Sequence, residues 1–170
     1  MESLIIALQH RILPLLVVHS TLRKMILSTV WFWVVCQVLH FMGVGVLIGV
    51  VGFFDLRLMG WMKRISLSAA MDLMPYAIVA FLVNLVTGTI FLLGRPGVYV
   101  HARSMWAKLF FVILAGLNAI IFQFTLKDRA IRLGPGEDTS FSMKLIGATS
   151  LLSWFAVMCF GRLVPYFGTI

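Results

Sequence analysis

Residues 25–54, MILSTVWFWVVCQVLHFMGVGVLIGVVGFF, decide the fold of this chain. The segment holds 30 residues between Lys24 and Asp55 without one Asp, Glu, Lys or Arg. An α-helix needs roughly 20 apolar residues to cross the hydrocarbon core of a bilayer. The run therefore predicts a transmembrane helix near residues 29–54.

Three further uncharged runs follow, of 22, 18 and 17 residues: 73–94, 109–126 and 145–161. They predict additional spans near 72–94, 105–126 and 145–166. None shows the strict alternation of a membrane strand. Because a helix satisfies its own backbone hydrogen bonds in lipid, the predicted fold is all-α, a four-helix transmembrane bundle.

The composition agrees with a membrane protein. Hydrophobic residues make up 61% of the 170 residues and charged residues only 12%, against roughly 45–50% and 25% in soluble domains. The net charge of +8 comes from Lys and Arg that flank the apolar runs, as in membrane proteins. These features exclude a soluble enzyme, a disordered protein and a nucleic-acid-binding domain, and they make the lipid bilayer the first partner.

Residues 1–27 are treated apart from the bundle of residues 28–170. Their apolar stretch is interrupted by Gln9, His10, Arg11 and Pro14. It lacks the basic start and small-residue cleavage site of a signal peptide. We expect an N-terminal interfacial helix, in preference to a fifth span.

His40 is the leading candidate for function, because polar residues within a span are costly. It lies about a dozen residues into the first span, with Gln37 and Gly43 three residues away on the same helix face. An imidazole can be an axial ligand of b-type haem, and a glycine removes bulk where a macrocycle approaches the backbone. Gln37 could orient the ring, and Asn84 in the second span is a further candidate contact.

A second axial ligand is harder to find in the sequence. His101 precedes the third span, at a depth that differs from that of His40 by roughly a dozen Å on helix arithmetic. This favours an interfacial role for His101. Met158, late in the fourth span, is the other candidate on depth.

Two alternatives stay open. His40 could be a structural residue that hydrogen-bonds to Asn84 or Asn118, with Gly45 and Gly49 serving close helix packing. Alternatively, the ten methionines, with Cys36 four residues before His40, suit a copper-handling protein. A Cys36–Cys159 disulfide is conceivable, although buried thiols are more often small apolar residues.

Enzyme motifs are missing. There is no nucleophile elbow, Walker loop or HExxH sequence, so we expect no independent catalytic activity and name no catalytic residue. Asp55 and Arg57, in FFDLRLMG, are expected to tie the end of the first span to the membrane surface.

Six sequence elements support a resemblance over residues 28–165. In order they are Gln37-Val-Leu-His40-Phe-Met-Gly43, Asp55-Leu-Arg-Leu-Met-Gly60, Pro75, Thr87-Gly88, Pro96-x-x-Tyr99 followed by Lys108, and Leu117-Asn118-Ala119. Together they resemble a family of uncharacterised bacterial four-helix membrane proteins, and more distantly the copper-resistance D-like and cytochrome b-like membrane proteins. The resemblance implies location in the bacterial cytoplasmic membrane.

The resemblance supports His40 but not His101. Where the family pattern has Asn, this chain has Ala102, and where it has an aromatic residue, the chain has Met105. The leading hypothesis is a membrane redox subunit with haem b at His40, which passes electrons between quinone and a partner protein. Copper handling, or a cofactor-free subunit or assembly factor of a membrane complex or homo-oligomer, are the alternatives.

Overall fold

The computed structural model describes residues 28–167 of the chain. The predicted interfacial helix of residues 1–27 lies outside the described residues. Within the described part, the secondary structure is helical. The helices, in chain order, are α1 (Val30–Leu58), α2 (Leu67–Met71), α3 (Met74–Gly94), α4 (Pro96–His101), α5 (Arg103–Thr125), α6 (Lys127–Ile131) and α7 (Phe141–Phe167).

Four of these segments are long and apolar enough to cross a membrane, which confirms the predicted all-α bundle. They are Val30–Leu58, Leu67–Gly94, Arg103–Thr125 and Phe141–Val164. Their outer surfaces carry large apolar side chains, among them Trp31, Ile78, Ile113 and Leu152, each at least 60% exposed. Such a surface suits lipid contact, because lipid tails replace the water that would otherwise surround these side chains.

The second span is broken near its start. Helix α2 ends at Met71, residues 72–73 form a turn, and α3 begins at Met74 with Pro75 in its first turn. Proline has no backbone N–H to donate, so it is tolerated in a first turn and breaks a helix interior. The predicted span at 72–94 is thus preceded by a short helix, which Ser66 caps by accepting a hydrogen bond from the Ala69 N–H.

The helices pack in the spatial order α3, α1, α7, α5. Helix α1 lies between α3 and α7, and α5 packs mainly against α7. The connections 59–66 and 126–140 meet at one end of the bundle, which we call the loop end. The opposite end carries α4, the start of α1 and the end of α7, and we call it the open end.

The α1–α7 contact is very close. A Cβ atom on Gly147 of α7 would lie 2.8 Å from the Asp55 carbonyl oxygen and 3.0 Å from the Leu58 Cβ. Asn118 of α5 donates a hydrogen bond of 3.0 Å from Nδ2 to the Ile146 carbonyl, one residue earlier in α7. Glycine and asparagine therefore set the distance of α7 from its two neighbours.

The main apolar core lies at the loop end. Phe54 and Phe122 meet edge to face there, with centroids 5.3 Å apart, beside the fully buried Leu58 and Leu67. A smaller core of Leu47, Ala77 and Ala80 continues between α1 and α3. His40 belongs to neither core and lies in the half of α1 that is nearer the open end.

Candidate functional site

Asp55 and Arg57 were expected to anchor the end of α1 at the membrane surface, but their side chains point into the protein. Helix α1 continues to Leu58, and both side chains are buried, with 2% of Asp55 and none of Arg57 exposed. A buried charge must be compensated by hydrogen bonds. Both residues therefore serve interior contacts.

Arg57 joins α1 to both connections of the loop end. Its Nε donates to the Ile65 carbonyl at 2.5 Å, and its Nη2 donates to the carbonyls of Gly134 and Glu137 at 3.4 and 3.3 Å. The Gly136 N–H donates to the Lys63 carbonyl at 2.7 Å. These contacts hold the two connections against each other, which a sequence motif alone could not reveal.

Asp138 completes what we call the loop junction, formed by Arg57, Gly60, Lys63, Gly136, Asp138 and Lys144. The Asp138 carboxylate pairs with Lys63 at 3.2 Å and with Lys144 at 3.1 Å. These partners, Lys144 first, together with the Thr139 N–H, lower the pKa of Asp138 from 3.8 to about 2. Gly60 has φ +92°, and a Cβ there would lie 2.9 Å from an Asp138 oxygen. The junction is a structural element.

His40 lies between α1 and α3, about 15 Å along α1 from its first residue. Its Nδ1 is 2.7 Å from the Thr87 Oγ1, and its ring lies 5.2 Å from the Phe91 ring between centroids. The alternative partners Asn84 and Asn118 were wrong for this hydrogen bond. Asn118 binds Ile146, and Thr87 lies one turn beyond Asn84 on α3.

The Thr87 hydroxyl fixes the tautomer of the neutral His40 ring. Its oxygen lies 2.7 Å from the Val83 carbonyl, to which it donates its single proton. Thr87 therefore accepts from His40, so that Nδ1 carries the hydrogen and Nε2 keeps its lone pair. Among the residues described, none hydrogen-bonds to Nε2, and the His40 side chain is partly exposed.

The space predicted beside Gly43 is filled by a side chain. A Cβ at Gly43 would lie 3.0 Å from both amide atoms of Asn84, so Gly43 makes room for Asn84 and leaves no space for a cofactor. The glycine beside the imidazole is instead Gly88 of α3, where a Cβ would lie 3.6 Å from the His40 Cε1. The Thr87-Gly88 pair of the sequence therefore contributes both the hydrogen bond and the open space.

The side-chain amide of Asn84 makes no hydrogen bond to the described residues. Its Oδ1 and Nδ2 are both buried and have no hydrogen-bond partner within residues 28–167. Buried polar atoms are normally paired, and exceptions call for a functional or solvent partner. We call His40, Asn84, Thr87, Gly88 and Phe91 the His40 cluster.

The other predicted ligands lie elsewhere. Gln37 is exposed on α1, and His101 is exposed at the end of α4, outside the long helices. Met158 lines a cavity beside Ile48 and Asp55. Cys36 is buried and Cys159 exposed, and both are free thiols. In the described part of the chain, no three His, Cys, Asp or Glu side chains converge as a metal site.

The surroundings of His40 are cationic. Lys108 of α5 packs beside Gly161 of α7, and its charge acts on His40. Arg95 lies over the Trp33 ring at 5.0 Å, and Trp33 contacts Phe91 at 5.2 Å. The acidic residues between 28 and 167 all lie toward the loop end: Asp55, Asp72, Asp128, Glu137 and Asp138. The open end can therefore attract anionic groups.

Comparisons with protein-family models, with curated proteins and with solved structures found no significant match to this chain. The resemblance to the bacterial four-helix family stays a prediction.

Proposed function

We propose that this protein is an integral membrane redox subunit in which His40 provides an axial ligand to b-type haem. The observation that carries the proposal is the hydrogen bond between the His40 Nδ1 and Thr87, with no described residue hydrogen-bonded to Nε2. Histidines that bind metals almost always donate a hydrogen bond from their other ring nitrogen, which fixes the tautomer. The contact from Nδ1 to Thr87 is of this kind.

The side chains around His40 also suit a bound haem. Gly88 leaves the side of the ring open, and Phe91 supplies an aromatic wall. Lys108 and Arg95 are complementary in charge to the two carboxylates of haem. When bound, haem supplies a one-electron carrier within the membrane, which suits transfer between a quinone and a partner protein.

The test is an absorption spectrum of the detergent-purified protein, produced with ample haem, before and after dithionite. We expect a Soret band and sharp α and β bands on reduction. His40→Ala is expected to lose them, and His101→Ala, the matched control at an exposed histidine outside the long helices, is expected to keep them.

A flat visible spectrum of the unmodified protein would overturn the proposal, as would retention of the bands in His40→Ala. Metal analysis of the same preparation examines the copper alternative. Copper bound without a Soret band, and lost in His40→Ala, would replace haem by copper at this residue.

A further inference from the structure

An exposed arginine is connected to His40 by a short column of aromatic side chains at the open end. Arg95 is exposed, and its guanidinium carbon lies 5.0 Å from the centre of the Trp33 ring. Trp33 packs on Phe91, and Phe91 packs on His40, with 5.2 Å between the ring centroids in both contacts. These are distances of directly packed rings. The column therefore joins the protein surface to the candidate haem ligand without a gap.

Two helices hold this column in place. Trp33 and His40 are seven residues apart on α1, so their side chains lie on the same helix face. Phe91, in the last turn of α3, contacts both rings. Arg95 follows Phe91 by one turn, and its N–H donates to the Phe91 carbonyl at 3.0 Å. The arginine at the surface is thus positioned by the same helix that supplies Phe91.

The charge around the exposed end of the column is positive. Lys108 and Arg162 lie at the same end of the bundle as Arg95, whereas the acidic residues between 28 and 167 all lie toward the loop end. Within that part of the chain, the ion pairs are those of Asp138 at the loop junction, and Arg95 has no carboxylate partner. Such a field attracts anions and repels cations, over about 10 Å at moderate salt.

We propose that Arg95 and Trp33 form the docking point of an anionic electron carrier, the acidic face of a water-soluble redox protein. The inference rests on the proposed haem function and adds to it the chemistry of the partner and the face that the partner approaches. His40 lies about 15 Å along α1 from the open end and about 27 Å from the loop end. Because electron transfer slows steeply with distance, the open end is the favoured side.

The exchange involves one electron and no change in bonding. The carrier is oxidised by one electron as the haem iron at His40 is reduced from ferric to ferrous, or the reverse. Arg95 touches neither redox centre. It raises the local concentration of the anionic carrier beside Trp33, and the packed rings set the separation between the carrier and His40.

The first experiment tests the anion site in protein purified without added haem, in a neutral detergent. Tryptophan fluorescence is quenched by iodide, which is anionic, and by acrylamide, which is neutral. Trp33 is half-buried, so that small quenchers reach it, and Trp33→Phe isolates its contribution. Arg95→Gln is expected to lower the ratio of iodide to acrylamide quenching at Trp33 about threefold at low salt, the effect of a unit charge roughly 6 Å away in water.

The matched control is Arg132→Gln, which removes an exposed arginine at the loop end and the same net charge. It should leave the ratio at Trp33 nearly unchanged. An equal ratio in the unmodified protein and in Arg95→Gln would overturn the proposal, whether or not the protein binds haem.

The second experiment follows electron transfer out of the haem-loaded protein. Protein reduced with stoichiometric dithionite is mixed with ferricyanide, an anionic one-electron oxidant, or with tris(phenanthroline)cobalt(III), a cationic one, and reoxidation is followed at the α band. Arg95→Gln is expected to slow the reaction with ferricyanide about tenfold at low salt, an effect that high salt removes. It should not slow the reaction with the cobalt complex. Equal slowing by Arg95→Gln and Arg132→Gln would mean that net charge alone acts, and would contradict the docking point.

The outcomes separate this inference from the proposed function. Absence of a Soret band refutes the haem function and the electron transfer with it, whereas haem whose reoxidation by ferricyanide is unaffected by Arg95→Gln refutes the docking point alone. An anionic lipid is the competing occupant, so the quenching is repeated in phosphatidylcholine nanodiscs with and without phosphatidylglycerol. If phosphatidylglycerol removes the part of the iodide quenching that depends on Arg95, a lipid phosphate occupies the site and the proposal fails.

Discussion

The two ends of the bundle use their polar side chains differently. At the loop junction, Arg57 makes three hydrogen bonds to carbonyls, and Asp138 pairs with two lysines. In the His40 cluster, the His40 Nε2 and both amide atoms of Asn84 make no hydrogen bond to any described residue. Both regions also contain buried atoms without a partner among the described residues: Arg57 Nη1 and Thr139 Oγ1 at the loop end, and the Asn84 amide in the His40 cluster. Only the partly exposed His40 ring presents a nitrogen that a ligand could reach. This difference separates a structural motif from a candidate site.

The largest effect is expected from Arg57→Met, which tests the structural role of the loop junction. The change leaves three carbonyls without their donor and should lower the free energy of unfolding by about 3 kcal/mol or more. Unfolding in mixed detergent and SDS micelles, followed by circular dichroism, measures it. Arg64→Met, at an exposed neighbouring arginine, is the control and should change stability little. A fully stable Arg57→Met would remove the distinction between the two ends.

Gly147→Ala tests the close approach of α1 and α7. The new Cβ would lie 2.8 Å from a backbone oxygen, which cannot rotate away, so we expect a loss of about 1–3 kcal/mol. The same unfolding assay applies. Gly116→Ala in α5 is the control, because no atom lies within 4 Å of its Cβ position. Equal stability of the two variants would mean that α7 can shift without cost.

Thr87→Val tests whether the hydrogen bond to Thr87 orients His40 for ligand binding. Removal of the acceptor frees the tautomer of His40 and is expected to weaken haem affinity about 10–100-fold. Titration of the apoprotein with haem, followed at the Soret band, measures the affinity. Thr87→Ser keeps the hydroxyl and should retain most of it. Should Thr87→Val bind haem as tightly as the unmodified protein, the hydrogen bond has no part in ligand orientation.

The smallest effect is expected at Asp138, which is exposed. The pKa of Asp138 is lowered from 3.8 to about 2 in the folded protein. Its contacts therefore stabilise the folded state above about pH 4, and this stabilisation is lost as the pH falls toward 2. Asp138→Asn should therefore be slightly less stable than the unmodified protein at pH 6, and the difference should shrink in high salt. Unfolding at pH 6 and pH 2.5 measures it. A difference that grows on acidification would contradict this assignment.

Much of the fold followed from the sequence. The uncharged runs located all four spans, because a charge within the hydrocarbon core is costly and its absence marks the core. The errors lie at the ends of the spans. Helix α1 continues past Asp55 to Leu58, since carbonyls of the connections accept hydrogen bonds from Arg57 and the Ser150 hydroxyl of α7 hydrogen-bonds to the Asp55 carboxylate. Those groups are distant in sequence.

The candidate site was predicted less completely. His40 stood out because a lone imidazole in an apolar span is rare, and spacing alone placed Gln37 and Gly43 on its face. Spacing within α1 could not show that Asn84 of α3 fills the space at Gly43, or that Thr87 binds the ring. The Thr87-Gly88 pair was visible in the sequence, but no helical periodicity connects it to His40.

Composition and charge spacing therefore determined that this is an all-helical membrane bundle, because the cost of charge in lipid acts on each residue separately. Only the tertiary structure decided which polar groups are satisfied. The packing of α1 between α3 and α7 brings Thr87 to His40 and Ser150 to Asp55, and among residues 28–167 it leaves the His40 Nε2 and the Asp55 Oδ2 without a partner. Hydrogen bonding depends on distances of a few Å between side chains on different helices, which no single segment of the chain encodes.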